Sequence, residues 1–207
     1  MGKMNNPDLS PSTNLAYTIG AFLGDGTTGI GKQSQNHYIM LQVKSKTFAE
    51  KFAVALSNIG LRPKIYRLHT RDRWLTTITS KKLHNFLKRT RNSLSELLTF
   101  LNTPELKQRF VEGFLDAEGT VCMRKDNRWK KPYSYLFVGF YNSNRNLMEL
   151  VANTIRHIGF NCGISEHREG AYQGYILGSQ GERKRFLNFI YHDETPVKSC
   201  EIIEEFR

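Results

Sequence analysis

The chain repeats itself. Residues 19–26 read IGAFLGDG and residues 112–119 read EGFLDAEG, which sets Gly20 against Gly113, Gly24 against Ala117, Asp25 against Glu118 and Gly26 against Gly119 at an offset of 93. Further on, FAEKFAVALSNIG (48–60) resembles LMELVANTIRHIG (147–159) at an offset of 99, and SKKLHNFL (80–87) resembles SQGERKRFL (179–187) with one residue more. The change of offset places six extra residues between Gly119 and Leu147, where RKDNRWKKP (124–132) reads as a longer basic loop. Two copies of one unit of about 95 residues explain all of this, and a chain of 207 residues has room for both.

Periodicity within each copy predicts the same order of elements, α-β-β-α-β-β-α. In the first copy, Leu15, Ile19, Phe22 and Leu23 recur at helical spacing after a cap at Thr13 or Asn14. Strands follow over 27–32 and 38–44, a helix over 46–59, a hairpin of 64–69 and 74–79 around Arg71-Asp72-Arg73, and a helix over 81–90. The second copy opens with a helix at Pro104, then strands over 120–124 and 133–141, a helix over 145–158, strands over 163–167 and 172–177, and a helix over 181–190. Residues 199–206 form a last amphipathic segment, with Glu194 as a capping residue upstream. The expected division is a first unit over 12–91, a linker over 92–103 that is partly helical, and a second unit over 104–207. The fold class is therefore α+β.

Composition narrows the functional classes. Thirty Lys and Arg against 19 Asp and Glu leave a net charge of +11, which points to a polyanionic partner. No apolar run approaches the 18 residues of a membrane span, and the first residues lack the apolar core of a secretion signal, so no membrane partner is expected. Cys122, Cys162 and Cys200 form no CxxC pair and are expected to be reduced thiols in a cytoplasmic protein. The six scattered histidines show no zinc spacing, and the H-x-E…P-C-x-x-C signature of a base deaminase is absent.

The repeated motif has a physical reading of its own. Small residues four apart, Gly20/Gly24 and Gly113/Ala117, make a flat stripe on which another helix backbone can approach closely. Asp25 and Glu118 then emerge at the C-terminal ends of the two helices, each before a glycine expected to serve as a left-handed cap. Two carboxylates at the negative ends of helix dipoles repel, and a divalent cation held by oxygens, including the carbonyls of Gly24 and Ala117, relieves the conflict.

These two motifs, TIGAFLGDG (18–26) and VEGFLDAEG (111–119), with the repeated unit order and LHNFL (83–87), resemble the LAGLIDADG homing endonucleases, in particular the monomeric two-motif enzymes of archaeal introns. The resemblance spans nearly the whole chain. It implies two pseudosymmetric αββαββα units whose motif helices pack at the centre and whose antiparallel sheets form a DNA-binding saddle. It also implies a monomer that hydrolyses both strands of a long duplex target, leaving 3′ overhangs. By motif position, Asp25 and Glu118 are the catalytic metal-binding acids, with the carbonyls of Gly24 and Ala117 as further ligands. Mg²⁺ is the expected cofactor, with Mn²⁺ as a substitute and Ca²⁺ binding without cleavage. A catalytic lysine is expected at Lys198, with Lys44 and Lys46 as weaker candidates. The first copy has no lysine at the corresponding place, so the two strand cuts are expected to be unequal.

Basic charge is concentrated where such a protein would meet DNA. Ten Lys and Arg stand against Asp72 alone over residues 62–91, whereas residues 192–207 carry five acids against Lys198 and Arg207. Strand alternation is expected to place Lys32, Gln42, Lys44, Arg67, Arg71, Arg73, Arg124, Arg128, Lys130 and Arg168 on one sheet surface or its rim, joined by Gln33 and Gln35 of a polar loop. Arg and Gln there would read guanine and adenine edges, and Lys would contact phosphates. Tyr133, Tyr135, Phe137 and Phe140 are expected to pack beneath the sheet. The alternative function is an RNA maturase, with intron RNA as partner, or a DNA-binding protein that does not cut.

Overall fold

A computed structural model describes residues 6–31, 35–68, 71–126, 133–167 and 170–192. It divides into two compact units, residues 1–117 and 118–207. The second motif helix therefore packs within the first unit.

The first unit begins with α1 (Thr13–Asp25), whose first turn is capped by the Ser12 hydroxyl accepting from the Leu15 N–H. The cap is thus one residue before the expected pair, because Ser12 keeps the extended backbone that a capping side chain needs. Next come β1 (Gly26–Ile30), β2 (His37–Val43) and α2 (Lys46–Asn58), the last capped by Ser45. The strands β3 (Lys64–Leu68) and β4 (Arg73–Thr79) form the hairpin, with Asp72 in the left-handed region at φ 43°. After α3 (Lys81–Asn92), the expected linker contains a short helix, α4 (Leu94–Phe100). Last comes the second motif helix, α5 (Pro104–Glu118).

All pairings in the first sheet are antiparallel and the strand order is β1-β2-β4-β3. Ile39, Leu41, Val43, Thr76 and Ile78 are buried on one face, where the register sets Leu41 opposite Thr76 and Ile39 opposite Ile78. Helix α2 contributes Phe48 and Phe52, both fully buried, at ~1.5–3 kcal/mol for each large apolar side chain removed from water. The Thr76 hydroxyl donates to the Ala49 carbonyl at 3.0 Å, so this buried polar group is satisfied.

The second unit repeats the plan. It holds β5 (Gly119–Asp126), β6 (Tyr133–Asn142), α6 (Arg145–His157), β7 (Cys162–Glu166), β8 (Tyr172–Ile176) and α7 (Gln180–Tyr191), with sheet order β5-β6-β8-β7. A capping box between Ser179 and Glu182 starts α7. The two orders are the same when β5 is read as β1, as the duplicated sequence requires. The segment 199–206, and Glu194 with it, lies outside the described residues.

Candidate active site

The stripe of small residues does what its sterics require. A Cβ on Gly20 would stand 2.1 Å from the Phe110 carbonyl oxygen, and one on Gly113 would stand 2.3 Å from that of Tyr17. Helices α1 and α5 thus touch backbone to backbone, each through the other's glycine. Asp25 and Glu118 each follow that crossing by five residues and are half-buried.

The end of α1 differs from the expected left-handed cap. Gly26 is extended, at φ −79° and ψ 152°, and is the first residue of β1. Glycine is needed there for space, since a Cβ would lie 2.4 Å from Phe22 Cδ2. Gly119 likewise begins β5 and is not among the residues of positive φ. The chain passes from motif helix directly into strand, which leaves no room for a reversing cap.

Last-turn carbonyls of a helix need donors, and α1 finds one in Arg91 at the end of α3. One guanidinium nitrogen donates to both the Phe22 and Gly26 carbonyls, each at 2.8 Å, while the group lies 4.2 Å from the centre of the Phe22 ring. Burial lowers the Arg91 pKa. The cation faces the negative end of the helix dipole, which favours it.

Helix α5 carries a buried ionic cluster on the way to Glu118. Lys51 of α2 reaches Glu112 Oε1 at 2.7 Å and Asp116 Oδ2 at 3.1 Å, and the Tyr17 hydroxyl donates to Asp116 Oδ2 at 2.8 Å. Arg109 pairs with the other Glu112 oxygen. Asp116 is fully buried, and burial raises its pKa against the opposing pull of Lys51 and Tyr17. For Lys51, burial acts downward, but the Asp116 and Glu112 carboxylates prevail and raise its pKa. Asp116 Oδ1 has no hydrogen-bond partner among the described residues. The sequence reading missed this cluster, although its signal was present: Asp116 stands where the first copy has Leu23.

In the second unit, Glu118 Oε1 accepts from Asn142 Nδ2 at 2.9 Å, at the end of β6. The donors available at the two motif ends, half-buried carboxylates and helix-terminal carbonyls, are hard oxygens. They fit Mg²⁺, Mn²⁺ or Ca²⁺ and do not fit a thiolate- or imidazole-bound zinc. Among the described residues no group of three or more His, Cys, Asp or Glu could hold an ion alone.

The basic candidates are placed unevenly. Gln42 pairs with Leu75 on the sheet face away from the buried residues, and Arg73 shares that face by alternation. Lys44, Arg71 and Gln35 are exposed beyond strand ends. Arg67 pairs with Trp74 and so falls on the opposite face, where it meets Asp72 at 3.3 Å. It takes that face, at the rim of the sheet, because the edge strand β3 enters with Lys64 opposite Thr77, which sends odd-numbered residues of β3 the other way. Lys32, Gln33, Arg128, Lys130, Arg168 and Lys198 lie outside the described residues.

On the second sheet, the Arg124 guanidinium carbon stands over the Phe137 ring, 3.3 Å from its centre, and the side chain donates to the Tyr141 hydroxyl at 2.8 Å. Phe137 pairs with Cys122 on the face away from the buried Val121 and Val138. Alternation puts Tyr133 and Tyr135 on that face with it, and Tyr133 is 51% exposed. Of the four aromatics expected beneath the sheet, Phe140 alone is on the helix side. The fully apolar run Leu136–Phe140 hides the alternation that separates the two faces.

Residues 12–91 match the sequence model of the LAGLIDADG-like domain. The matched residues make up most of the first unit and include its motif helix. Two uncharacterized proteins of Methanocaldococcus jannaschii are similar to the chain. One is 29% identical over 174 residues, 82% of this chain and 64% of that protein; the other is 32% identical over 131 residues, 58% and 46%. The chain thus spans less than two thirds of the length of these curated relatives. Among solved structures, the homing endonuclease I-DmoI in complex with DNA and Mn superposes with a TM-score of 0.62 at 22% identity, over 88% of this chain and 98% of that one. I-DmoI with DNA and Ca gives 0.63 at 21%, over 93% and 94%. The N-terminal LAGLIDADG domain of DUF199/WhiA gives 0.59 at 13%, over 90% and 86%. The expected resemblance and fold class are borne out: two similar units of the LAGLIDADG fold, each with a four-stranded antiparallel sheet.

Proposed function

We propose that this protein is a site-specific homing endonuclease that cuts both strands of a long duplex DNA target with a divalent cation. The observation that carries this reading is the duplicated motif helix, crossing at Gly20 and Gly113 and ending each time in a carboxylate. The LAGLIDADG fold, shared with I-DmoI complexes that contain DNA with Mn or Ca, supports it.

In this reading Asp25 and Glu118 are the acids that hold the metal, aided by the Gly24 and Ala117 carbonyls. A bound Mg²⁺ supplies an activated water and stabilises charge on the attacking and leaving oxygens. Mn²⁺ substitutes, and Ca²⁺ binds without turnover. Arg91 keeps the end of α1 in place, and Asn142 holds one oxygen of Glu118. Gln42, Lys44, Arg71, Arg73 and Arg124 contact the duplex, with Arg124 pre-oriented by Phe137 and Tyr141 for a guanine edge. Lys198 serves as the catalytic lysine, and the protein acts as a cytoplasmic monomer. Short 3′ overhangs are the expected product ends.

The test is incubation with the intron-less allele of the host locus and Mg²⁺, with both breaks mapped. Paired cuts that vanish in Asp25→Asn and Glu118→Gln, while binding persists, are the expected result. Cleavage that survives either substitution overturns the mechanism. Binding of target DNA or intron RNA by the unaltered protein without any cut supports instead the non-cleaving or maturase reading.

A further inference from the structure

Asn142 is held at both ends of its amide. Its Oδ1 accepts the Asn144 N–H at 2.9 Å, so the Nδ2 end is the one turned to Glu118, to whose Oε1 it donates at 2.9 Å. Asn144 in turn caps α6, its Oδ1 accepting from the Leu147 N–H at 3.1 Å. The start of α6, the end of β6 and the end of α5 are thereby tied in one line of hydrogen bonds. A carboxylate held through one oxygen by a fixed donor has its orientation set before any cation arrives.

The matching place in the first unit holds a different residue. Gly26 pairs with Leu41 as Gly119 pairs with Phe140, so the counterpart of Asn142 is Val43, two residues past Leu41. Val43 is a buried hydrocarbon, 6% exposed, with no amide to donate. The backbone at the end of α1 is supported by Arg91. The duplicated motif has thus acquired two different supports.

We propose that Asn142 is a positioning residue that orients the Glu118 carboxylate toward a divalent cation. Val43, at the matching place in the first unit, has no amide with which to play this part. This inference rests on the reading of Glu118 as a metal-binding acid.

The test is Mn²⁺ binding to the whole protein without DNA, read from the electron paramagnetic resonance of free Mn²⁺. Asn142→Val, which installs the first unit's residue, is expected to bind about tenfold more weakly, the lower end for loss of a supporting partner. Asn144→Ala removes the α6 cap yet leaves Asn142 its N–H partner, and is expected to lower the melting temperature at unchanged Mn²⁺ affinity. The Asn142 side-chain amide signal in ¹⁵N NMR is expected to shift in Glu118→Gln, a readout that needs no folded Asn142 variant. Wild-type affinity in Asn142→Val, with affinity lost in Glu118→Gln, overturns the positioning role and leaves the metal reading standing. Equal weakening in Asn144→Ala and Asn142→Val also overturns it, because the effect then comes from the α6 loop. An amide signal unmoved in Glu118→Gln overturns it too. Wild-type affinity in Glu118→Gln overturns both the metal reading and this inference.

Discussion

Gly20 and Gly113 occupy each other's shadow: the carbonyl beneath one glycine belongs to Phe110 on α5, and that beneath the other belongs to Tyr17 on α1. Backbone is the obstacle in both cases, so neither site can yield by turning a side chain. Gly20→Ala and Gly113→Ala are each expected to cost at least ~1–3 kcal/mol, the usual cost of overpacking. Urea denaturation followed by circular dichroism checks this; a wild-type midpoint would mean that the helices do not meet there.

Lys51 is the cation between two nearly inaccessible carboxylates, Glu112 and Asp116. Replacing it with Met keeps the aliphatic bulk and leaves two buried anions, Glu112 with Arg109 and Asp116 with the Tyr17 hydroxyl. A loss of ~3–5 kcal/mol is expected at neutral pH, as for other buried pairs broken from one side. Asp116→Asn should cost far less, because burial already favours the neutral form of that side chain. Thermal melts of the two variants decide the ranking.

The same cluster sets a pH dependence. The folded-state pKa of Lys51 is raised above its ordinary 10.5, so its contribution is complete below pH 10.5 and is lost as pH rises through the folded value. Asp116, also raised, contributes below its ordinary 3.8 and loses that contribution as pH climbs past it. Both signs favour the folded state at lower pH. Wild-type protein should therefore lose stability above pH 10.5, whereas Lys51→Met should lack this step. The variant's deficit should also shrink in acid, as its stranded carboxylates take up protons. Denaturation midpoints across pH supply the measurement.

Two thiols should differ in reactivity. Burial pushes the Cys162 thiol up to about 12, which leaves a thiolate fraction of roughly 10⁻⁴ at pH 8. Cys122 is half-buried on the sheet face that carries Arg124. Iodoacetamide at pH 8 should alkylate Cys122 well before Cys162, as peptide mass mapping over time would show. Equal rates would mean that Cys162 is open to solvent.

Much of the architecture was legible in the chain. Glycines and acids at a common offset predicted a duplicated helix, and the period of 2 predicted the strand that holds Ile39, Leu41 and Val43. These signals are local, carried by periods of 3.6 and 2 residues. The face of Arg67 was not legible, because it depends on where β3 enters its register with β4, a choice made by pairing between strands. Phe137 escaped for a related reason: five successive apolar residues carry no period.

What the linear order of residues determined is the identity of the parts: two motif helices, their glycine contacts, their terminal acids and a basic chain suited to a polyanion. Which side chains support those acids was decided only in three dimensions. Arg91 reaches carbonyls 65 and 69 residues away in the chain, and Asn142 meets Glu118 across the β5–β6 hairpin. Helical and strand periods are written by neighbours along the chain, whereas a hydrogen bond between distant residues exists only after packing has brought donor and acceptor within about 3 Å.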